Sequence, residues 1–177
     1  MNHKSLIIFF VILLLAAFFR FYGVNWDANH HLHPDERFLT MVTGALQWPD
    51  NIFQFLDTSR SPLNPQNRGF GFFVYGTFPV FFTKYIAETV NKADYNGITI
   101  IGRKLSALFD LGTVILVFLI TRQIIKSLRP TTNYPPHLAM FFYSVMVLPI
   151  QLAHFYAVDT YLILFLTLSF YLLIKIL

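Results

Sequence analysis

The apolar positions of this chain fall in long blocks rather than in the short alternations of a soluble domain. Leu6–Phe19 is fourteen residues without a polar side chain, extended by Phe21, Tyr22 and Val24. A helix needs about 20 mostly apolar residues to cross a bilayer, so this block predicts a span over about 5–24. No small-x-small site follows it, because Ala16-Ala17 runs into Phe-Phe-Arg-Phe-Tyr; an uncleaved span is therefore expected rather than a signal peptide. Arg20 is expected to snorkel its charge to the headgroups along its apolar stem. Ile98–Thr121, His137–Pro149 and Ala157–Leu177 are further apolar blocks. They predict spans over about 99–121, 137–151 and 158–177.

Between the first two spans lies a long segment, 25–98. Pro34 suits the first position of a helix. Phe38, Met41, Val42, Ala45 and Leu46 then recur at helical spacing, which predicts an amphipathic helix over about 34–48. The aromatic stretch Phe70–Val90 predicts a second helix, over about 72–90, lying on the membrane with Lys84 and Glu88 turned to water. The stretch 57–69 is rich in Pro, Gly, Asn and Ser and is expected to be irregular. Pro135-Pro136 is expected to end the loop before the third span.

Charge sets the sidedness. Cytoplasmic flanks collect Lys and Arg. If Phe70–Val90 does not cross, Lys4, Arg122, Lys126, Arg129 and Lys175 share one side with no acid among them. If it does cross, the Arg122–Arg129 cluster moves outside and the pattern breaks. The expectation is an all-α membrane protein, one membrane domain over 1–177. It has about four transmembrane helices and a long external loop bearing two interfacial helices, with the N-terminus in the cytoplasm.

Composition agrees: 55% of residues are hydrophobic and 12% charged, against about 25% charged in soluble domains. The net charge is +4, but the 13 basic residues are scattered, so the stripe that nucleic acid requires is missing. With no cysteine, disulfides and thiolate metal sites are excluded.

The densest chemistry is His30-His31-Leu32-His33-Pro34-Asp35-Glu36-Arg37. Asp35 and Glu36 would sit in the first turn of the helix opened by Pro34, where the helix dipole favours an ionised carboxylate. Such a group can take a proton from an attacking hydroxyl; equally, it can merely cap the helix. The three histidines are too tightly spaced to converge on one ion, so no metal site is read here. Arg103, Ser106 and Asp110 share one helix face. Arg103 and Lys104 suit either a lipid phosphate or simple snorkelling, and Arg103 and Asp110, two turns apart, are not expected to pair. His154 and Asp159 bracket a short outer turn that either joins an active site or is only a polar hairpin.

The ordered series His33-Pro-Asp-Glu-Arg37, Tyr75-Gly-Thr-Phe-Pro79, Gly102-Arg-Lys-Leu-Ser-Ala-Leu-Phe-Asp110 and His154-Phe-Tyr-Ala-Val-Asp159-Thr160 resembles the GT-C membrane glycosyltransferases. The nearest likeness is to the dolichyl-phosphate-mannose–protein mannosyltransferase branch, family 39. The resemblance implies inverting transfer of a sugar from a polyprenyl-phosphate donor to an acceptor on the outer face of the membrane, the plasma membrane of a prokaryote. It implies Asp35 as catalytic base with Glu36 supporting it, and Arg103 and Lys104 at the donor phosphate. His154, Asp159, Tyr75 and Asp110 would line the site; no cofactor is expected, with a divalent ion held by carboxylates as the alternative. Members of that family carry more spans, so the chain reads as the N-terminal part of a larger module. Two other readings stand beside it: a non-catalytic four-span subunit or scaffold, and a transporter fragment with Asp110 as intramembrane ion site.

Overall fold

The computed structural model describes residues 3–127 and 136–176, and the regular structure among them is entirely helical. The expectations about Arg129 and Pro135 lie outside the described residues. The chain divides into two compact units.

The first unit comprises the chain up to Val24, Ser106–His154, and the chain from Asp159 on. Its elements are α1 (His3–Phe21), the later part of α5 (Tyr95–Ser127), α6 (Pro136–Val145), α7 (Val147–Ala153) and α8 (Asp159–Ile176). These helices are apolar on nearly every side. Along α1 only Ile12, Ala16 and Arg20 are buried, a stripe of one residue every four. Leu6, Ile7, Phe10, Val11, Leu14 and Phe18 are exposed. On α8 only Thr160 and Tyr161 are buried, while Leu162, Phe165, Leu166, Phe170, Leu172 and Leu173 face outward. Apolar side chains over so much of the outer surface are compatible with a lipid surround. Ile12, Ala16, Val114, Phe118 and Met140 form the core cluster, flanked by Phe9, Leu13, Leu111, Leu119 and Tyr143. Helices α1, α5 and α8 are long and apolar enough to cross a membrane. The 33 residues of α5 give a rod about 50 Å long, more than the hydrocarbon core requires.

The third expected span is broken. Helices α6 and α7 meet at 59°, and together they pass the same test of length and hydropathy. Pro149 explains the break: it has no N–H to donate, and its ring excludes the carbonyl of Val145, four residues back. Met146 accordingly takes an extended conformation between the two helices.

Arg20 departs from expectation. It is fully buried and does not snorkel. Its Nε donates to Asp110, and its Nη1 donates to the carbonyls of Ala16 at 3.2 Å and Ser144 at 3.0 Å. The Tyr143 hydroxyl donates to the other oxygen of Asp110 at 2.7 Å. An isolated charge in an apolar interior is costly, and pairing removes most of that cost.

The second unit comprises Asn25–Leu105 and Phe155–Val158. It holds α2 (Pro34–Ala45), α3 (Ile52–Leu56), a short 3-10 turn at Pro65–Arg68, α4 (Thr77–Thr89) and the opening of α5. Helix α2 buries Leu39, Val42 and, just past its end, Leu46, together with Thr40 and Thr43. The buried stripe is thus rotated from the expected one, and Met41 is exposed. The reason is polar: the Thr40 hydroxyl bonds that of Thr99 at 3.0 Å, and the Thr43 hydroxyl bonds that of Tyr156 at 2.7 Å. Both threonines therefore belong inside.

Helix α4 begins at Thr77 rather than 72, because the stretch 69–76 includes three glycines and glycine is a poor helix former. Lys84 is buried against Glu88 at 2.6 Å rather than turned to water. The irregular stretch 57–69 contains the 3-10 turn, capped by Asn64 and closed by Gly69 at φ +90°.

Candidate functional site

His33 is the N-cap of α2, and its Nδ1 accepts the Glu36 N–H at 3.3 Å. With Pro34 opening the helix, Asp35 and Glu36 occupy the first turn as expected. Neighbours on a helix point about 100° apart, and here that angle separates two environments. Asp35 is exposed and has no ion pair or hydrogen bond among the described residues. Glu36 is completely buried.

Glu36 meets Arg103, on the opening turns of α5. Arg103 Nε donates to Oε2 at 2.8 Å and Nη2 to Oε1 at 2.5 Å, a bidentate fork. The far edge of the same guanidinium holds a second carboxylate: Nη1 donates to Asp27 Oδ1 at 3.0 Å and Nη2 to Oδ2 at 2.7 Å. Arg103 is 0% exposed. Its Cζ lies 5.3 Å from the centre of the Trp26 ring, a cation–π contact. Glu36 Oε2 also accepts the Tyr156 backbone N–H at 2.7 Å.

Two carboxylates and one guanidinium leave this buried cluster one negative charge in excess. The N-terminal end of α2, carrying partial positive charge, offsets it where Glu36 sits. A phosphate would meet the reverse of what it needs. Hydrogen bonds from Arg103 hold the Asp27 carboxyl down at about 2 against the desolvation of burial, helped by the Leu32 and Asn29 N–H groups. Burial pushes the Tyr156 phenol up to about 12.

The loop entering α2 is conformationally unusual. Ala28, Asn29 and His31 have φ values of +49°, +65° and +50°. Asparagine tolerates this region, but alanine and histidine do so at a cost of about 1–2 kcal/mol each. The loop is held by Asp27, whose side chain accepts two backbone N–H groups and whose carbonyl accepts a third, from His30. His31 is likewise fixed, with Nε2 at 2.8 Å from Asn96 and Nδ1 at 3.3 Å from Thr99.

The remaining expected residues separate. Lys104 is exposed. Tyr75 is half-buried, its ring 6.0 Å from that of Phe38, one turn after Asp35, and 6.0 Å from Phe73. Asp110, His154 and Asp159 belong to the first unit. Asp110 is taken up by Arg20 and Tyr143. The two ring nitrogens of His154 lie 2.7 Å from the Ile150 carbonyl and 2.9 Å from that of Tyr22. Asp159 is exposed at the start of α8.

The expected pairing of Arg103 with a lipid phosphate, or its snorkelling, gives way to a guanidinium enclosed by protein. Asp27, Trp26 and Tyr156 were not singled out in the sequence. Asp27 carried one weak signal, an acid placed directly after a span; the contact between Trp26 and Arg103 carried none.

Comparison with known protein families, with curated proteins and with solved structures found no match.

Proposed function

We propose that this chain carries the catalytic-base segment of an inverting glycosyltransferase that takes a sugar from a polyprenyl-phosphate donor in a membrane. The observation carrying this reading is the sorting of two adjacent carboxylates. Asp35 is open and unpaired, while Glu36, its neighbour, is locked to Arg103. A general base must be reachable, and it must be held in place by its surroundings. Exposure meets the first need. The buried network of Glu36, Arg103, Asp27 and Tyr156 meets the second.

In the reaction, the acceptor hydroxyl attacks the anomeric carbon from the face opposite the phosphate. The new C–O bond forms as the bond to the phosphate oxygen breaks, and its electron pair leaves with the polyprenyl phosphate. The hydroxyl proton passes to Asp35. Arg103 acts here as a positioning residue, through Glu36. The exposed Lys104 is the cation left on the same turn of α5 to meet a donor phosphate. In this reading the chain crosses the membrane four times, through α1, α5, the bent pair α6–α7, and α8. Its N-terminus is cytoplasmic and residues 25–98 lie outside, an arrangement supported by the basic residues Lys4, Arg122, Lys126 and Lys175.

The test is sugar transfer from polyprenyl-phosphate sugars by membranes containing the chain, or the longer protein of which it is part. Asp35→Asn is expected to lower kcat by at least about a hundredfold with donor binding retained, and Asp35→Glu to keep part of the rate. Equal activity in the parent and Asp35→Asn would remove Asp35 as base.

A further inference from the structure

A cavity of about 270 Å³ lies in the second unit, between the loop after α3 and the start of α4. Phe55, Leu63 and Phe81 are apolar walls, and Thr58, Ser61 and Thr77 bring hydroxyls to it. Among the described residues no charged side chain lines it.

Ser61 is 4% exposed, a depth at which a hydroxyl left without a partner is destabilising. Its backbone is committed on both sides. The N–H donates to the Asp57 carbonyl at 2.7 Å, and the carbonyl accepts from the Asn64 N–H at 3.1 Å and from Asn67 Nδ2 at 2.9 Å. Its hydroxyl has no hydrogen-bond partner among the described residues. The backbone cannot move off to supply one, so the hydroxyl stays at the cavity wall.

Across the cavity stands the first turn of α4, through Thr77 and, one turn on, Phe81. The first N–H groups of a helix have no partner within it and carry partial positive charge. Here the N-cap is Gly76, which has no side chain to accept from them. Neither the N–H nor the hydroxyl of Thr77 has a partner among the described residues. A buried unpartnered hydroxyl and an uncapped helix start line one cavity with no acid beside them. Hydrogen-bond donors in a field that favours negative charge are what an oxyanion needs. The lack of Lys and Arg suits one negative charge better than two, and the apolar walls suit an ester better than a bare ion.

We propose that this cavity binds a phosphate oxyanion, held by the Ser61 hydroxyl and the first turn of α4. The proposal is independent of the glycosyltransferase reading and stands or falls without it.

The test uses the full chain in a maltoside detergent free of phosphate. It is titrated at matched ionic strength, in separate arms, with inorganic phosphate, with dioctanoyl phosphatidylglycerol, and with dioctanoylglycerol as the lipid lacking phosphate. A ligand of the folded state raises the thermal midpoint as its concentration rises. A saturable rise is expected with the phosphate-bearing probes, the lipid acting at lower concentration, and none with dioctanoylglycerol. A rise with the lipid but not the ion identifies a headgroup, and the reverse identifies free phosphate; both sustain the oxyanion.

Ser61→Ala is expected to weaken the apparent affinity about tenfold, through loss of one hydrogen bond to a charged group. Gly76→Asp places a carboxylate at the cap, where φ is −64° and nothing lies within 4 Å of a Cβ. It should raise the ligand-free midpoint and abolish the response to phosphate, while Gly76→Ala keeps that response. No rise with either phosphate-bearing probe overturns the proposal, as does an equal rise with dioctanoylglycerol. Responses equal to the parent's in folded Ser61→Ala and Gly76→Asp proteins overturn it as well.

Discussion

Arg103 and Glu36 are 67 residues apart in the chain and form a two-point fork in which neither side chain is reached by solvent. The geometry decides what substitutions there do. Lysine carries the same charge as arginine but has no planar fork, so Arg103→Lys leaves one of two carboxylates without its partner. Removing one member of a buried pair costs about 3–5 kcal/mol, because the charge left behind stays buried. Arg103→Lys is expected to lower the thermal midpoint in detergent by several degrees, and Glu36→Gln by less, because Asp27 still pairs with Arg103. If both leave it unchanged, the pair is not enclosed as described.

Gly102 precedes that arginine on α5. A Cβ placed on it would lie 2.2 Å from Cγ of the Tyr156 ring, which is itself fully buried and bonded to Thr43. Gly102→Ala must therefore push the ring and with it the Tyr156 N–H that serves Glu36. Overpacking of this kind costs about 1–3 kcal/mol. Gly71→Ala is the control, since nothing lies within 4 Å of a Cβ built there. Equal thermal midpoints for the two variants would contradict the close packing of helix on ring.

Asp27 gives a pH dependence of known sign. Its carboxyl titrates at about 2 in the folded protein, below the ordinary 3.8. A depressed carboxyl contributes stability above its unfolded value, and that contribution is lost as the pH falls through the folded one. The window is therefore about pH 4 to pH 2, and the full contribution is on the order of 2 kcal/mol. Thermal midpoints recorded across this window should fall more steeply for the parent than for Asp27→Asn. Parallel curves would show that Asp27 is not held by Arg103.

Hydropathy made the helices themselves legible. The block Leu6–Phe19 and the apolar run after Asp159 each became one helix, because length and hydropathy act locally. The first turn of α2 was equally plain, since Pro34 and the two acids after it act within four residues. What stayed hidden was where each charge goes. Arg20 reads as a terminal, snorkelling arginine until Asp110 is brought to it from 90 residues away. The apolar spacing in α2 suggested a face including Met41, and the hydroxyls of Thr99 and Tyr156 turned the helix otherwise. Pro149 lies inside the run 137–151, which read as one span because hydropathy summed over the whole run does not register a missing N–H.

The ion pair Arg20–Asp110 offers the sharpest separation of structure from transport. A transport carboxylate must gain and lose its ion or proton, so it needs to be released from its partners during a cycle. Asp110 is instead bonded on both oxygens, to Arg20 and to Tyr143. Arg20 also grips the Ser144 carbonyl near the break between α6 and α7, while its Nη2 has no hydrogen-bond partner among the described residues. These contacts read as a clasp that fixes α1 against α5 and α6. Asp110→Asn alone strands the Arg20 charge, and destabilisation of about 3–5 kcal/mol is expected. Replacing both, as Arg20→Met with Asp110→Leu, removes the stranded charge and should restore most of the loss, since well-packed apolar pairs often match buried ion pairs. Thermal stabilities of Arg20→Met, of Asp110→Leu and of the double give the coupling directly. A double variant as unstable as the sum of the singles would show that Arg20 and Asp110 act separately.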